Sequence, residues 1–121
     1  MVKALLFSWR DRFPWPRRKL RVVQIVAAAD EIPDHLPRKG AVVVGSLENP
    51  TWVAFDCPCV DRHRVMLNLD PRRRPAWTMQ SSEPLTLRPS IDELLDQKRC
   101  HYFIRGGKVQ WVPDKRRLAV L

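Results

Sequence analysis

The chain has 121 residues, 45% of them hydrophobic and 29% charged, with a formal net charge of +9. That length suits one domain, and the balance of apolar and charged residues excludes a disordered chain. Eleven prolines against four glycines exclude long uninterrupted helices, because proline removes a backbone donor and clashes with the preceding turn.

The first 19 residues read as a separate basic and aromatic arm. Phe7, Trp9, Phe13 and Trp15 are interleaved with Lys3, Arg10, Arg12, Arg17, Arg18 and Lys19, and Asp11 is the only acid. Four aromatic rings are costly to leave in water, so the arm is expected to dock on a surface through Trp9 and Trp15. The opening apolar stretch is broken by Arg10 and Arg12. It is too short for a signal peptide, and no run reaches the roughly 20 apolar residues of a membrane span. A cytoplasmic address and no membrane association are expected.

Residues 20–121 are expected to form a single strand-rich domain. Leu20–Val26 is β-branched and partly alternating, as strands are. A proline-containing segment, a loop or single helical turn, leads to the apolar run Ala41–Val44, a buried strand. Glu48-Asn49-Pro50 makes a turn into Thr51–Phe55, and Arg64–Leu69 alternates well enough to be its partner. Short strands follow at Ala76–Met79 and Leu85–Leu87. Ser90 with Glu93 three residues later gives a capping-box pattern, which predicts a helix of about two turns. Gly106-Gly107, between His101–Ile104 and Lys108–Val112, gives the clearest hairpin signal in the chain. The expected fold is α+β and mostly β: a small antiparallel sheet domain with one short helix.

Cys57 and Cys59 flank Pro58 where a strand ends, and Cys100 stands beside His101. Three cysteines do not make a disulfide framework, and thiolates with imidazole suit zinc, which takes four such ligands at tetrahedral angles. A structural zinc held by Cys57, Cys59, Cys100 and His101 is therefore expected. Adjacent residues of a regular strand face opposite ways, so His63 is the alternative fourth ligand. Buried core thiols, or a reactive thiol, are the readings without a metal. Paired carboxylates in a pocket-like context, a phosphate-binding glycine loop and a hydrolase nucleophile motif are absent from the sequence, so a binding module is favoured over an enzyme. Arg72-Arg73-Arg74 extend the basic character of Arg17 and Arg18, and such clusters near aromatic rings suit an acidic protein partner or single-stranded nucleic acid.

The sequence from Phe55 to Trp111 resembles a family of small bacterial proteins known as domain of unknown function 6527. The resemblance rests on Cys57-Pro58-Cys59, Leu67-Asn68-Leu69, Pro75-Ala76-Trp77, Leu85–Ile91 and His101–Trp111. Two positions depart from the family pattern: Val60-Asp61-Arg62 stands where many members have Gly-Cys-Gly, and Cys100 is directly beside His101 rather than three residues before it. The resemblance implies a zinc-binding β domain encoded with ubiquitin-like conjugation genes in bacterial defence islands. The expected role is an accessory protein-interaction module of such a system. The alternatives are a nucleic-acid-binding component, or a zinc-dependent hydrolase or cysteine-dependent transferase acting on conjugates.

Overall fold

Ala41–Val44 is fully apolar because its strand is covered on both faces. Ala41 and Val43 enter the main core, while Val42 and Val44 pack with Val26, Ile32, Leu36 and Trp52 on the other side. The computed structural model describes residues 19–113. Within them, strands β1 (Arg21–Val26), β2 (Gly40–Gly45), β3 (Pro50–Asp56) and β4 (Arg64–Asn68) form one sheet in that order. Strands β5 (Thr78–Ser82), β6 (Leu85–Leu95), β7 (Lys98–Arg105) and β8 (Lys108–Trp111) form the second, also in chain order. All neighbours are antiparallel except β1 and β2. Their parallel connection carries a 3-10 turn at Ala29–Glu31 and supplies Ile32 and Leu36 to the outer face of the first sheet.

The two sheets share one core. Val53 and Phe55 of β3 and Val65 and Leu67 of β4 meet Leu85, Leu87 and Ile91 of β6 and Tyr102 and Ile104 of β7. The mostly β expectation holds, with the 3-10 turn as the helical element among the described residues.

The helix expected from Ser90 is instead the second half of β6, which pairs with β7 from Ile91 to Leu95. The capping-box side chains are engaged elsewhere: Ser90 reaches His101 and Glu93 reaches His63. With both groups drawn into tertiary contacts, and Ile91 buried against the other sheet, packing overrides the local helix preference. Asp96 and Gln97 make the β6–β7 turn at φ of 46° and 69°, a hairpin that the sequence does not announce with glycine.

The Gly106-Gly107 hairpin is present, at φ of 58° and 75°. Gly107 also stitches the structure together: its N–H donates to the Leu85 carbonyl, and its own carbonyl accepts from Leu20. A Cβ at this position would stand 2.5 Å from Lys19 Cβ and 2.8 Å from the Leu20 oxygen. Gly107→Ala should therefore cost about 2–3 kcal/mol, from left-handed strain plus the clash. Gly106 has open space around its missing side chain, so Gly106→Ala should cost only the strain, and thermal melts of the two variants will rank them.

Candidate active site and metal centre

The alternation of β7 divides its residues between two sites. Cys100, Tyr102 and Ile104 face the core, whereas His101, Phe103 and Arg105 face outward. Because the strand is regular, Cys100 and His101 point apart, and the expectation that both hold one ion is corrected.

On the inner side, Cys57 ends β3 and the 57–63 loop folds back on itself. The Cys57 N–H donates to the His63 carbonyl at 2.8 Å, and Arg62, at φ 50°, donates to the Cys59 carbonyl. Cys100 comes in from β7, and the Sγ atoms of Cys57, Cys59 and Cys100 all lie within 4.8 Å of one another. Ligands on a tetrahedral zinc with bonds of about 2.3 Å stand roughly 3.8 Å apart, so this cluster needs only slight contraction. His63 Nδ1 lies 3.5 Å from Cys59 Sγ, and its Nε2 lies 3.0 Å from Glu93 Oε2. A carboxylate on the far nitrogen is how metal-binding histidines are oriented.

Burial and mutual contact set the thiols of this cluster apart from one another. Burial pushes the Cys57 thiol up to about 12, and burial also raises Cys100. Cys59 moves the other way, to about 7, because hydrogen bonds from Cys57, from the Arg62 and Asp61 backbone and from His63 outweigh its burial. Glu93 raises the pKa of His63 against the effect of burial. The Tyr102 hydroxyl is buried, and beside it the Cys57 thiol is its one candidate partner among the described residues. An anionic, metal-held sulfur would accept a hydrogen bond from it. Three close sulfurs, an oriented imidazole and a buried hydroxyl together fit a metal ion.

The outer side carries a different constellation. Between the Leu87–Ile104 and Ile91–Tyr102 pairs, β6 spends more residues than β7, which makes a bulge at Arg88-Pro89-Ser90. Pro89 has no ladder donor to lose there, and a bulge re-aims the side chains it contains. Ser90 Oγ comes to 3.0 Å from His101 Nε2. The serine is also held from the other side, where Trp77 Nε1–H donates to the Ser90 carbonyl at 3.3 Å. Trp77 is in turn fixed by its own N–H on the Asn68 carbonyl. Asp92 pairs with His101 in the ladder. Both Asp92 oxygens accept from Arg99, at 2.8 and 2.7 Å. That guanidinium, and His101 after it, hold the carboxyl below its usual range against partial burial.

The remaining residues singled out in the sequence lie apart from both sites. The Asn68 amide donates to the carbonyls of Asp70, Arg73 and Pro75 and so clamps the basic loop. Arg72 is folded onto Asp70 through two hydrogen bonds of 3.0 Å, while Arg73 and Arg74 are exposed. Trp9, Trp15, Arg17 and Arg18 fall outside the described residues. Sequence reasoning missed Ser90, because its capping-box context disguised it as a helix start. Its separation of 11 residues from His101, with a hairpin between them, was the available signal.

Residues 28–112 match a family model described as the bacterial ubiquitination-like system serine protease, BubE. The chain belongs to the BubE family. The matched region contains both constellations in full, and membership upholds the expected association with a bacterial ubiquitination-like system. No curated protein and no solved structure matches the chain.

Proposed function

We propose that this BubE-family chain is a serine hydrolase of its ubiquitination-like system, cleaving acyl bonds of the modifier, with a structural zinc beneath the catalytic strands. The observation that carries the reading is the 3.0 Å approach of Ser90 Oγ to His101 Nε2 on the outer face of the second sheet. The family's description as a serine protease supports it. This reading replaces the accessory binding module that the sequence favoured, and it keeps the ubiquitin-like context.

An alcohol at its ordinary pKa is a weak nucleophile and needs a base within hydrogen-bond reach. Ser90 Oγ would attack the carbonyl carbon while its proton passes to His101 Nε2. The tetrahedral adduct then collapses, the leaving amine takes that proton, and an ester to Ser90 remains. Water attacks this ester, giving one proton to His101, which passes it to Ser90 Oγ as the acid departs. Asp92 stands opposite His101 in the ladder with its carboxyl held below the usual range by Arg99, so an anion faces that strand position. Its oxygens bind Arg99 rather than the ring, so its role is electrostatic. The Trp77 bond to the Ser90 carbonyl keeps the bulge in place.

Cys57, Cys59, Cys100 and His63 are the ligands we assign to the metal. Three thiolates and an imidazole select zinc, and four protein ligands leave no open position for a reacting water, which makes the site structural. When bound, the ion supplies a crosslink between the β3–β4 loop and β7. Cys100 is next to His101, and Glu93 is three residues from Ser90, so the same crosslink braces both catalytic strands.

A fluorophosphonate probe, which phosphonylates serines activated by a base, tests the hydrolase reading directly. Tandem mass spectrometry should find one adduct, on Ser90, with none on Ser90→Ala and labelling slowed about 10³-fold by His101→Ala. Folded wild-type protein that resists the probe would defeat the assignment.

A further inference from the structure

Beside the dyad, on the same outer face, lies a shallow cleft of about 440 Å³ lined by Ala76, Thr78, Arg88, Pro89, Phe103 and Arg105. Pro89 is the neighbour of Ser90 in the bulge, and Phe103 is the next outward residue of β7 after His101. The cleft therefore adjoins the dyad, reached through Pro89 and Phe103.

Its charge is one-sided. Arg64, Arg72 and Arg99 are each paired with an aspartate, but Arg88 and Arg105 have no acidic partner among the described residues. Arg105 is nonetheless held in position: its guanidinium lies 4.1 Å from the centroid of the Phe103 ring, and one nitrogen donates to Gln110 Oε1 at 3.2 Å. Stacking on an aromatic face leaves the edge of the guanidinium fork free, and a guanidinium has five N–H donors in all. Ring and amide together use one face and one nitrogen, so a planar acceptor can still be met at two points. Arg88 flanks the Leu87–Ile104 pair on the outward side together with Phe103, and Arg105 flanks it on the other side. Across adjacent strands such diagonal neighbours are roughly 7–8 Å apart, a span one carboxylate group can bridge.

We propose that this cleft is the specificity pocket of the hydrolase and that it receives a carboxylate of the substrate between Arg88 and Arg105. Resting on the hydrolase reading, it adds a substrate class to it. β7 advances about 3.3 Å per residue, which places Phe103 about 7 Å and Arg105 about 13 Å along that strand from His101. The carboxylate therefore belongs to the second or third residue from the bond that is cut. Either an acidic side chain or the free C-terminus of a short tail supplies that chemistry.

Two 4-methylumbelliferyl esters test the pocket without knowledge of the natural substrate. One is the neutral butyrate; the other is the adipate monoester, whose free carboxylate lies a few methylenes from the reacting carbonyl. Charge-assisted hydrogen bonds from both arginines should give the adipate a kcat/KM roughly 10- to 100-fold above the butyrate. Arg88→Ala and Arg105→Ala should each erase most of that adipate-over-butyrate preference. The Arg88→Glu/Arg105→Glu double variant should turn the preference toward a trimethylammonium-tipped ester. Inhibition of butyrate turnover by acetyl-Ala-Glu-Ala-amide or by acetyl-Ala-Ala-Ala with a free C-terminus, against acetyl-Ala-Gln-Ala-amide, identifies which carboxylate is preferred. If butyrate is hydrolysed through Ser90 but the adipate gains nothing, the pocket is refuted and the hydrolase stands. If neither ester is hydrolysed and the fluorophosphonate leaves Ser90 unmodified, the hydrolase reading and the pocket fall together.

Discussion

Ser90→Ala should lose at least about 10³-fold in kcat on 4-methylumbelliferyl butyrate, and His101→Ala should lose a similar amount. The two residues meet at 3.0 Å and act in one step, so either loss stops the same proton transfer. The Ser90→Ala/His101→Ala double variant should accordingly be no slower than the worse single one, because residues that work as a unit are not additive. Stability should barely respond. Ser90 and His101 are only partly buried, and losing a single partly exposed hydrogen bond costs about 1 kcal/mol. Melting temperatures close to wild type, with activity gone, would separate catalysis from support of the fold. A Ser90→Ala variant that keeps a third or more of the wild-type rate would remove the serine from the mechanism.

Glu93 shows where the sequence carried the fold and where it misled. The strands announced themselves through β-branched runs and alternation, and the doubly covered β2 through its unbroken Ala41–Val44 run. Those patterns depend only on which side chains leave water, a property each residue carries with it. Ser90 and Glu93, by contrast, are polar groups whose destiny depends on partners distant in the chain. Glu93 lies 30 residues from His63, and no local pattern encodes that contact. Read alone, serine with glutamate three residues later is a helix start; with His63 and His101 in reach, the same pair is drawn into contacts across the fold. That the three cysteines meet was legible from the Cys-Pro-Cys element at a strand end and the lone Cys100, and their sulfurs do come together. The histidines were not assignable, since Cys100 and His101 are adjacent in sequence and only a regular strand separates them. That the strand is regular follows from its neighbours: Ile91 opposite Tyr102 and Asp92 opposite His101 continue the ladder without interruption.

That same geometry makes the metal centre the second place where a large effect is expected. Protein purified without added metal should contain close to one equivalent of zinc, and Cys57→Ser, Cys59→Ser or Cys100→Ser should each abolish it. The histidines separate cleanly. His63→Ala should strip the metal or weaken it severely, whereas His101→Ala should keep the full equivalent, because its ring faces Ser90 on the other side of β7. Glu93→Gln should weaken binding about 10- to 100-fold, as loss of an orienting carboxylate does at other sites. Structural zinc sites supply apparent binding energies of about 10–16 kcal/mol, whereas small domains are stable by about 5–15 kcal/mol in total. Chelation should therefore not merely soften this fold; it should unfold it, and one transition should report both metal release and loss of strand signal. A chain that purifies without metal, melts cooperatively and ignores chelator would instead make the three cysteines ordinary core residues. The crosslink bracing Ser90 and His101 would then have to come from packing alone.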